Sequence, residues 1–307
     1  MRNFIIDTDT ASDDAVALVM AAQKPEIDVK AITVVAGNCP LDQAVQNALY
    51  TIELCGKEIP IYAGCAKPIL RSLETAQDVH GIDGMGDIGL PLSGRKPAAG
   101  HAVDILLDTI NQYAGDITLV TLGPLTNVAV ALLRDPSLAE KVSECYIMGG
   151  IGSEHGNITP TAEFNIWCDP EAAKIVFESG MKITMVGWDI SWKYATFSPE
   201  QSAELRTIGT PLAEFCVDIQ ATLDDYAKSE TQLAGYDLPD PITMAIAINP
   251  EIAETKPYYV EVTIGEGLNR GQTVVDKLHM MGKEKNVDVV TFANRDAFVE
   301  ILKQAVS

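Results

Sequence analysis

Strand-like and helix-like segments alternate along almost the whole of this 307-residue chain, and that rhythm restricts the fold more than any other feature. Residues 28–36 are β-rich, 41–54 carry helical spacing, and 59–62 make a short strand. A helix over 101–113, a strand over 117–122 and a helix over 125–133 follow, the last ending before Asp135-Pro136. Residues 142–148 are a strand running into Gly149-Gly150, 170–179 a helix stopped by Gly180, and 182–186 the next strand. Parallel strands need long crossovers, usually helical, so this order predicts an α/β fold with a mostly parallel, doubly wound central sheet flanked by helices. Residues 200–250 read as mainly helical, 258–264 and 287–292 return to strand, and 295–305 close as a helix. No repeat or low-complexity linker intervenes, so one domain over residues 1–307 is expected.

In such a sheet, ligands collect outside the carboxyl ends of the strands. Residues 3–6 read as the first strand, and Asp7, Asp9, Asp13 and Asp14 follow it before an apolar run over 15–22. Asp7 and Asp9, two apart on an extended chain, share a face. Asp13 and Asp14 fall in the first turn of the next helix, where the helix dipole favours negative charge. Helix capping accounts for one of these carboxylates well and for four poorly. Crowded like charges need a cation or raised pKa values, and carboxylate oxygens are the hard ligands that Ca²⁺ and Mg²⁺ prefer.

The charge balance, 22 Lys and Arg against 43 Asp and Glu for a net −21, argues against nucleic-acid polymers and anionic membrane surfaces as partners. No stretch approaches the ~18 apolar residues of a membrane span. The N-terminal residues carry no apolar signal segment. Six cysteines show no CxxC pair and no zinc-like grouping. A soluble, cytoplasmic protein with reduced cysteines is expected.

Two kinds of chemistry fit the acidic cluster. Ile5-Ile6-Asp7-Thr8-Asp9-Thr10 matches the strand-DxDxT start of haloacid-dehalogenase-type phosphatases, with Asp7 as nucleophile, Asp9 as acid and Mg²⁺ as clamp. That reading leaves Asp13 and Asp14 unexplained, and no late acidic motif completes it. The longer string Asp7-Thr8-Asp9-Thr10-Ala11-Ser12-Asp13-Asp14-Ala15 resembles the DxDxxxDDA signature of nucleoside hydrolases, the inosine-uridine-preferring family. Further blocks resemble that family in order: Val35-Ala36-Gly37-Asn38, Asp78-Val79-His80-Gly81, Thr121-Leu122-Gly123-Pro124-Leu125-Thr126-Asn127 and Met148-Gly149-Gly150. Asn157 through Glu163-Phe164-Asn165-Ile166 to Asp169-Pro170-Glu171-Ala172, then Asp240-Pro241 and Gly271 through Asp276, extend the likeness over essentially the whole chain.

The resemblance implies hydrolysis of the N-glycosidic bond of ribonucleosides to ribose and free base by a Ca²⁺-bound water. By motif, Asp9 would ligate Ca²⁺ and act as general base, with Asp14, Asp240 and the backbone carbonyl of Leu122 as further ligands and Asp7 behind them. Asp13, Asn38 and Asn165 would read the ribose, and Asn157 and Glu163 its 5′-hydroxyl end. A homodimer or homotetramer acting on a small ribonucleoside is implied as well. From the residues alone, Asn38 also suits a turn after Gly37, and Glu163 and Asn165 suit the approach to a helix starting at Asp169-Pro170.

One position departs from the family. Many members carry a histidine just before the late metal-binding aspartate, where it protonates the leaving base. Pro239 stands there in this chain, and proline has no proton to give. General acid catalysis is worth ~10²–10⁴ in rate, so the loss needs a substitute. His80 is the expected general acid. The alternatives are stacking of the base on Trp188, Trp192 or Tyr236, or a non-catalytic nucleoside-binding protein. Trp188, read as the end of an apolar strand, also suits a core position.

Overall fold

In the computed structural model, which describes residues 1–231 and 234–307, eight strands form the central sheet. They are β1 (Arg2–Thr8), β2 (Ile27–Val34), β3 (Ile61–Ala63), β4 (Ile117–Thr121), β5 (Glu144–Met148), β6 (Ile183–Val186), β7 (Ala253–Tyr258) and β8 (Val287–Ala293). Their spatial order is β3-β2-β1-β4-β5-β6-β8-β7. Every pairing is parallel except the last, in which β7 runs antiparallel to β8. The α/β fold with helices on both faces is therefore as the alternation predicts. Side chains of β1 alternate between two cores, Phe4 and Ile6 in one and Ile5 in the other. Val120 and Leu119 of β4 divide the same way. Both faces are covered, so the central strands read as continuous apolar runs.

The helix read over 41–54 forms as Leu41–Leu54. The strand read over 258–264 is a different object. Its first residue ends β7, and Val260–Val262 pairs with Thr273–Val275 in a separate two-stranded ribbon. Most of β7 is exposed, with Glu254, Lys256 and Pro257 at the sheet edge, so it carries no apolar signal. Charge and proline on an edge strand discourage pairing with another chain. Trp188 does not end a strand either: β6 stops at Val186, and Trp188 opens the helix Trp188–Tyr194.

Two helices matter most for the site. Ser12–Gln23 is buried from Ser12 to Ala21, and Pro239–Ile248 is buried from Asp240 to Ala247. They pack against each other in one core. Arg2 Nη1 donates to the carbonyls of Ala247 and Ile248 at 2.7 and 3.1 Å, a cation on the negative end of that helix. Among the described residues no helix is long and apolar enough to cross a membrane.

Leu18, fully buried in the first of these helices, tests that packing. Leu18→Ala should cost about 2–5 kcal/mol of unfolding free energy in urea denaturation. A loss below about 1 kcal/mol would mean that the helix is not fixed by this core.

Candidate active site and metal centre

From β1 the chain crosses to β2 on one side and later reaches β4 on the other, so the loops at their carboxyl ends part and leave a crevice. Asp9 lies just past β1, Asn38 past β2 and Leu122 past β4. The N-termini of Ser12–Gln23 and Pro239–Ile248 bring Asp13, Asp14 and Asp240 to the same edge. Carboxylate oxygens of Asp13, Asp14 and Asp240 lie within 4.8 Å of one another. All three are buried.

Three carboxylates of the cluster are held by hydrogen bonds. Asp14 accepts from Thr8 Oγ1 at 2.5 Å and from the Ala11 and Asn38 nitrogens at 2.9 and 3.4 Å. Asp9 stands outside the triad, and its Oδ2 accepts from the Asn38 backbone N–H at 2.6 Å. Two glycines wall it in: a Cβ at Gly37 would lie 2.1 Å from Asp9 Oδ2, and one at Gly123 would lie 2.5 Å from Oδ1. Any side chain at either position would displace the carboxylate. Asp7 sits behind, accepting from Thr33 Oγ1 at 2.5 Å and Asn127 Nδ2 at 2.9 Å.

Burial is the largest cause of perturbation throughout. It pushes Asp7 and Asp13 up to about 7 and Asp14 to about 6. Burial and then the neighbouring Asp14 charge hold Asp9 and Asp240 well above the usual carboxylate range. One oxygen of each of Asp9, Asp13 and Asp240 is buried with no hydrogen-bond partner among the described residues. Buried polar oxygens are seldom left so. Unpartnered hard oxygens, mutual repulsion and burial together fit a hard divalent cation. The Leu122 carbonyl accepts from Asn165 Nδ2 at 2.8 Å and has a second lone pair for such a cation.

The cluster forms the floor of a cavity of about 200 Å³. Asp13, Asn38, His80, Asn157, Glu163 and Asn165 all line it, with Leu122 and Asp240. Glu163 caps the helix Phe164–Cys168, accepting from the Asn165 N–H at 2.7 Å and from Gly150 and Ile166 at 2.9 and 3.2 Å. It thus fixes Asn165, while burial pushes its own pKa up to about 7. Asn157 lies at the exposed mouth and accepts from the Phe164 N–H at 3.0 Å. His80 is buried, with Nδ1 3.0 Å from Ser12 Oγ and 3.7 Å from Asp13 Oδ1. Burial lowers its pKa to about 4.

Of the three aromatic candidates only Trp188 is a cavity residue. Trp192 stacks on His155 at 5.8 Å between ring centroids, and Tyr236 is buried against Phe197 and Ser202. Phe164, Tyr226 and Asp237 line the cavity without having been singled out from the sequence. Phe164 and Asp237 adjoin the recognised blocks. Tyr226 lies in the helical segment after residue 200, which carries no motif. No lysine or arginine is among the described lining residues, so a transferred phosphoryl group would meet no cationic side chain. The phosphatase alternative has no support in this site.

The raised carboxyls make a signed prediction. They ionise near 3.8 in an unfolded chain and near 6–7 when folded without a cation. The folded state then holds more protons between those values, so stability falls as pH rises from about 4 to about 7. A bound cation keeps the carboxylates ionised and removes that fall. Thermal unfolding at about pH 5 and pH 7.5, with chelator and with Ca²⁺, should show it. Parallel pH profiles in the two conditions would contradict it.

Comparison with known proteins agrees with this geometry. A sequence model described as inosine-uridine preferring nucleoside hydrolase matches residues 4–300. The pyrimidine-specific ribonucleoside hydrolase RihB of Escherichia coli (strain SE11) is 38% identical over 306 residues, covering 99% of this chain and 97% of that protein. A solved plant nucleoside hydrolase, the PpNRh1 enzyme, superposes with a TM-score of 0.94 at 33% identity, covering 100% of this chain and 99% of that one. A purine-preferring ribonucleoside hydrolase from Gardnerella vaginalis gives a TM-score of 0.92 at 31% identity over 99% and 98% of the chains. The chain belongs to the inosine-uridine preferring nucleoside hydrolase family, enzymes that cleave the N-glycosidic bond of ribonucleosides.

Proposed function

We propose that this protein hydrolyses ribonucleosides to ribose and free base with Ca²⁺ held by Asp9, Asp14, Asp240 and the Leu122 carbonyl. The observation that carries the reading is the set of buried, partnerless carboxylate oxygens of Asp9, Asp13 and Asp240 at and beneath a cavity also lined by Asn38, Asn157, Glu163 and Asn165. A bound hard cation would polarise water at the anomeric carbon and anchor the ribose diol. Asp9 takes the proton from the attacking water. Its place between Gly37 and Gly123 keeps the carboxylate from swinging away, which is the positioning a general base needs. Asp13, Asn38 and Asn165 read the ribose hydroxyls, while Asn157 and Glu163 bound the 5′ end. The acidic lining favours the positive charge that builds on ribose as the glycosidic bond breaks.

The relatives' names divide between pyrimidine and purine, so base preference is a matter for this chain's own cavity. We assign the protein to the cytoplasm, supported by six free thiols, five of them buried. A single domain over 1–307 and a homodimer or homotetramer complete the reading. Leu268, Leu278 and Met280, each about four-fifths exposed, are apolar surface that association would cover.

Base release from inosine, adenosine, guanosine, uridine and cytidine, followed by chromatography, tests the activity. Asp9→Ala should lower kcat by ~10²–10⁴-fold with the fold retained. Near-normal turnover in that variant would remove Asp9 as the base.

A further inference from the structure

The proton that the departing base needs has no donor at Pro239, and the cavity wall around that residue supplies another. Five carboxyl side chains line the cavity among the described residues: Asp13, Asp78, Glu163, Asp237 and Asp240. Asp13 and Asp240 belong to the candidate metal centre. Glu163 is engaged by three backbone N–H groups. Asp78 is exposed to solvent. Asp237 is buried, 8% exposed, outside the metal centre and, unlike Glu163, takes no hydrogen bond from the backbone N–H of another residue.

Its placement is rigid. Tyr236–Asp237 pairs antiparallel with Thr196–Phe197, and the Leu238 N–H donates to the Ala195 carbonyl at 3.2 Å. The Ser191 hydroxyl donates to Asp237 Oδ2. Asp237 and Pro239 both line the cavity, two residues apart in the chain. Trp188 lines the cavity as well, with its indole facing the Asp237 carboxylate. Among the described residues no lysine or arginine lines the cavity beside Asp237. Burial pushes its pKa up, against the Ser191 hydroxyl, its own backbone N–H and the Trp188 indole, which act to lower it. His80 turns its Nδ1 to Ser12 and Asp13.

We propose that Asp237 is the general acid that protonates the leaving base. As the C1′–N bond breaks, its electron pair stays on the base nitrogen, which takes the proton from the Asp237 carboxyl. The water oxygen bonds to C1′, and its proton goes to Asp9. Asp237 ends as a carboxylate and Asp9 as a carboxylic acid, and exchange with solvent restores both. This assignment rests on the nucleoside hydrolase reading above.

The test compares leaving groups. Inosine and uridine release a base that needs a proton, whereas 4-nitrophenyl β-D-ribofuranoside releases a phenolate that leaves without one. In Asp237→Asn, which keeps the acceptor for Ser191, kcat for the nucleosides should fall by ~10²–10⁴-fold. The nitrophenyl riboside should be cleaved within a few-fold of the wild-type rate, with nucleoside KM little changed. Asp237→Ser should show the same split, and circular dichroism checks that both variants fold as the wild type does. Equal losses on both leaving groups, or no loss on either, would overturn the assignment. So would the selective loss appearing in His80→Ala and not in Asp237→Asn. Wild-type protein that cleaves neither kind of substrate would instead overturn the nucleoside hydrolase reading itself.

Discussion

Repulsion among buried carboxylates is the constraint on which the rest of this structure depends. Asp9, Asp13, Asp14 and Asp240 are almost entirely removed from water within one crevice, and ionising them together without compensation is unfavourable. The fold meets that cost partly on its own. The N-termini of Ser12–Gln23 and Pro239–Ile248 both point their partial positive charge at the cluster. Thr8, Ala11 and Asn38 donate to Asp9 or Asp14. The oxygens that remain without partners among the described residues are what a bound cation would satisfy.

That arrangement explains features that are otherwise arbitrary. The close packing of the two buried helices matters because it sets the distance from Asp13 and Asp14 to Asp240. Gly37 and Gly123 matter because no Cβ fits beside Asp9. Above the floor, the helical segment after residue 200 contributes Leu223 and Tyr226, and the loop before Phe164 contributes Asn157 and Ile158. The floor is built from strand ends and helix N-termini. The roof is built from connections, where substrate preference varies most readily within one fold.

The central sheet was legible in the sequence because its strands are buried on both faces and its helices carry apolar stripes. Leu41–Leu54 is an example. The edge strand β7 was not, since an exposed Ala-Glu-Thr-Lys-Pro-Tyr segment has no apolar alternation to read. The cluster near the N-terminus was visible as charge density, and the positions of Asp240, Asn165 and Glu163 followed from resemblance to a family. Their convergence in one cavity did not follow from spacing, because Asp14 and Asp240 lie more than two hundred residues apart. Trp188 was placed on the wrong element, although it reaches the cavity. Asp237 was overlooked because a single aspartate before Pro239 carries no local pattern. Only the Thr196–Phe197 pairing and the Ser191 hydroxyl give it a role.

The claim that these carboxylates exist for a cation can be measured without substrate. Calorimetric titration of Ca²⁺ into chelated protein, in buffers of different ionisation enthalpy near pH 6.5, counts both ions bound and protons released. One Ca²⁺ per chain, bound with net proton release from carboxyls whose pKa is raised in its absence, is the predicted result. Absence of binding, or binding with no proton release, would contradict the account.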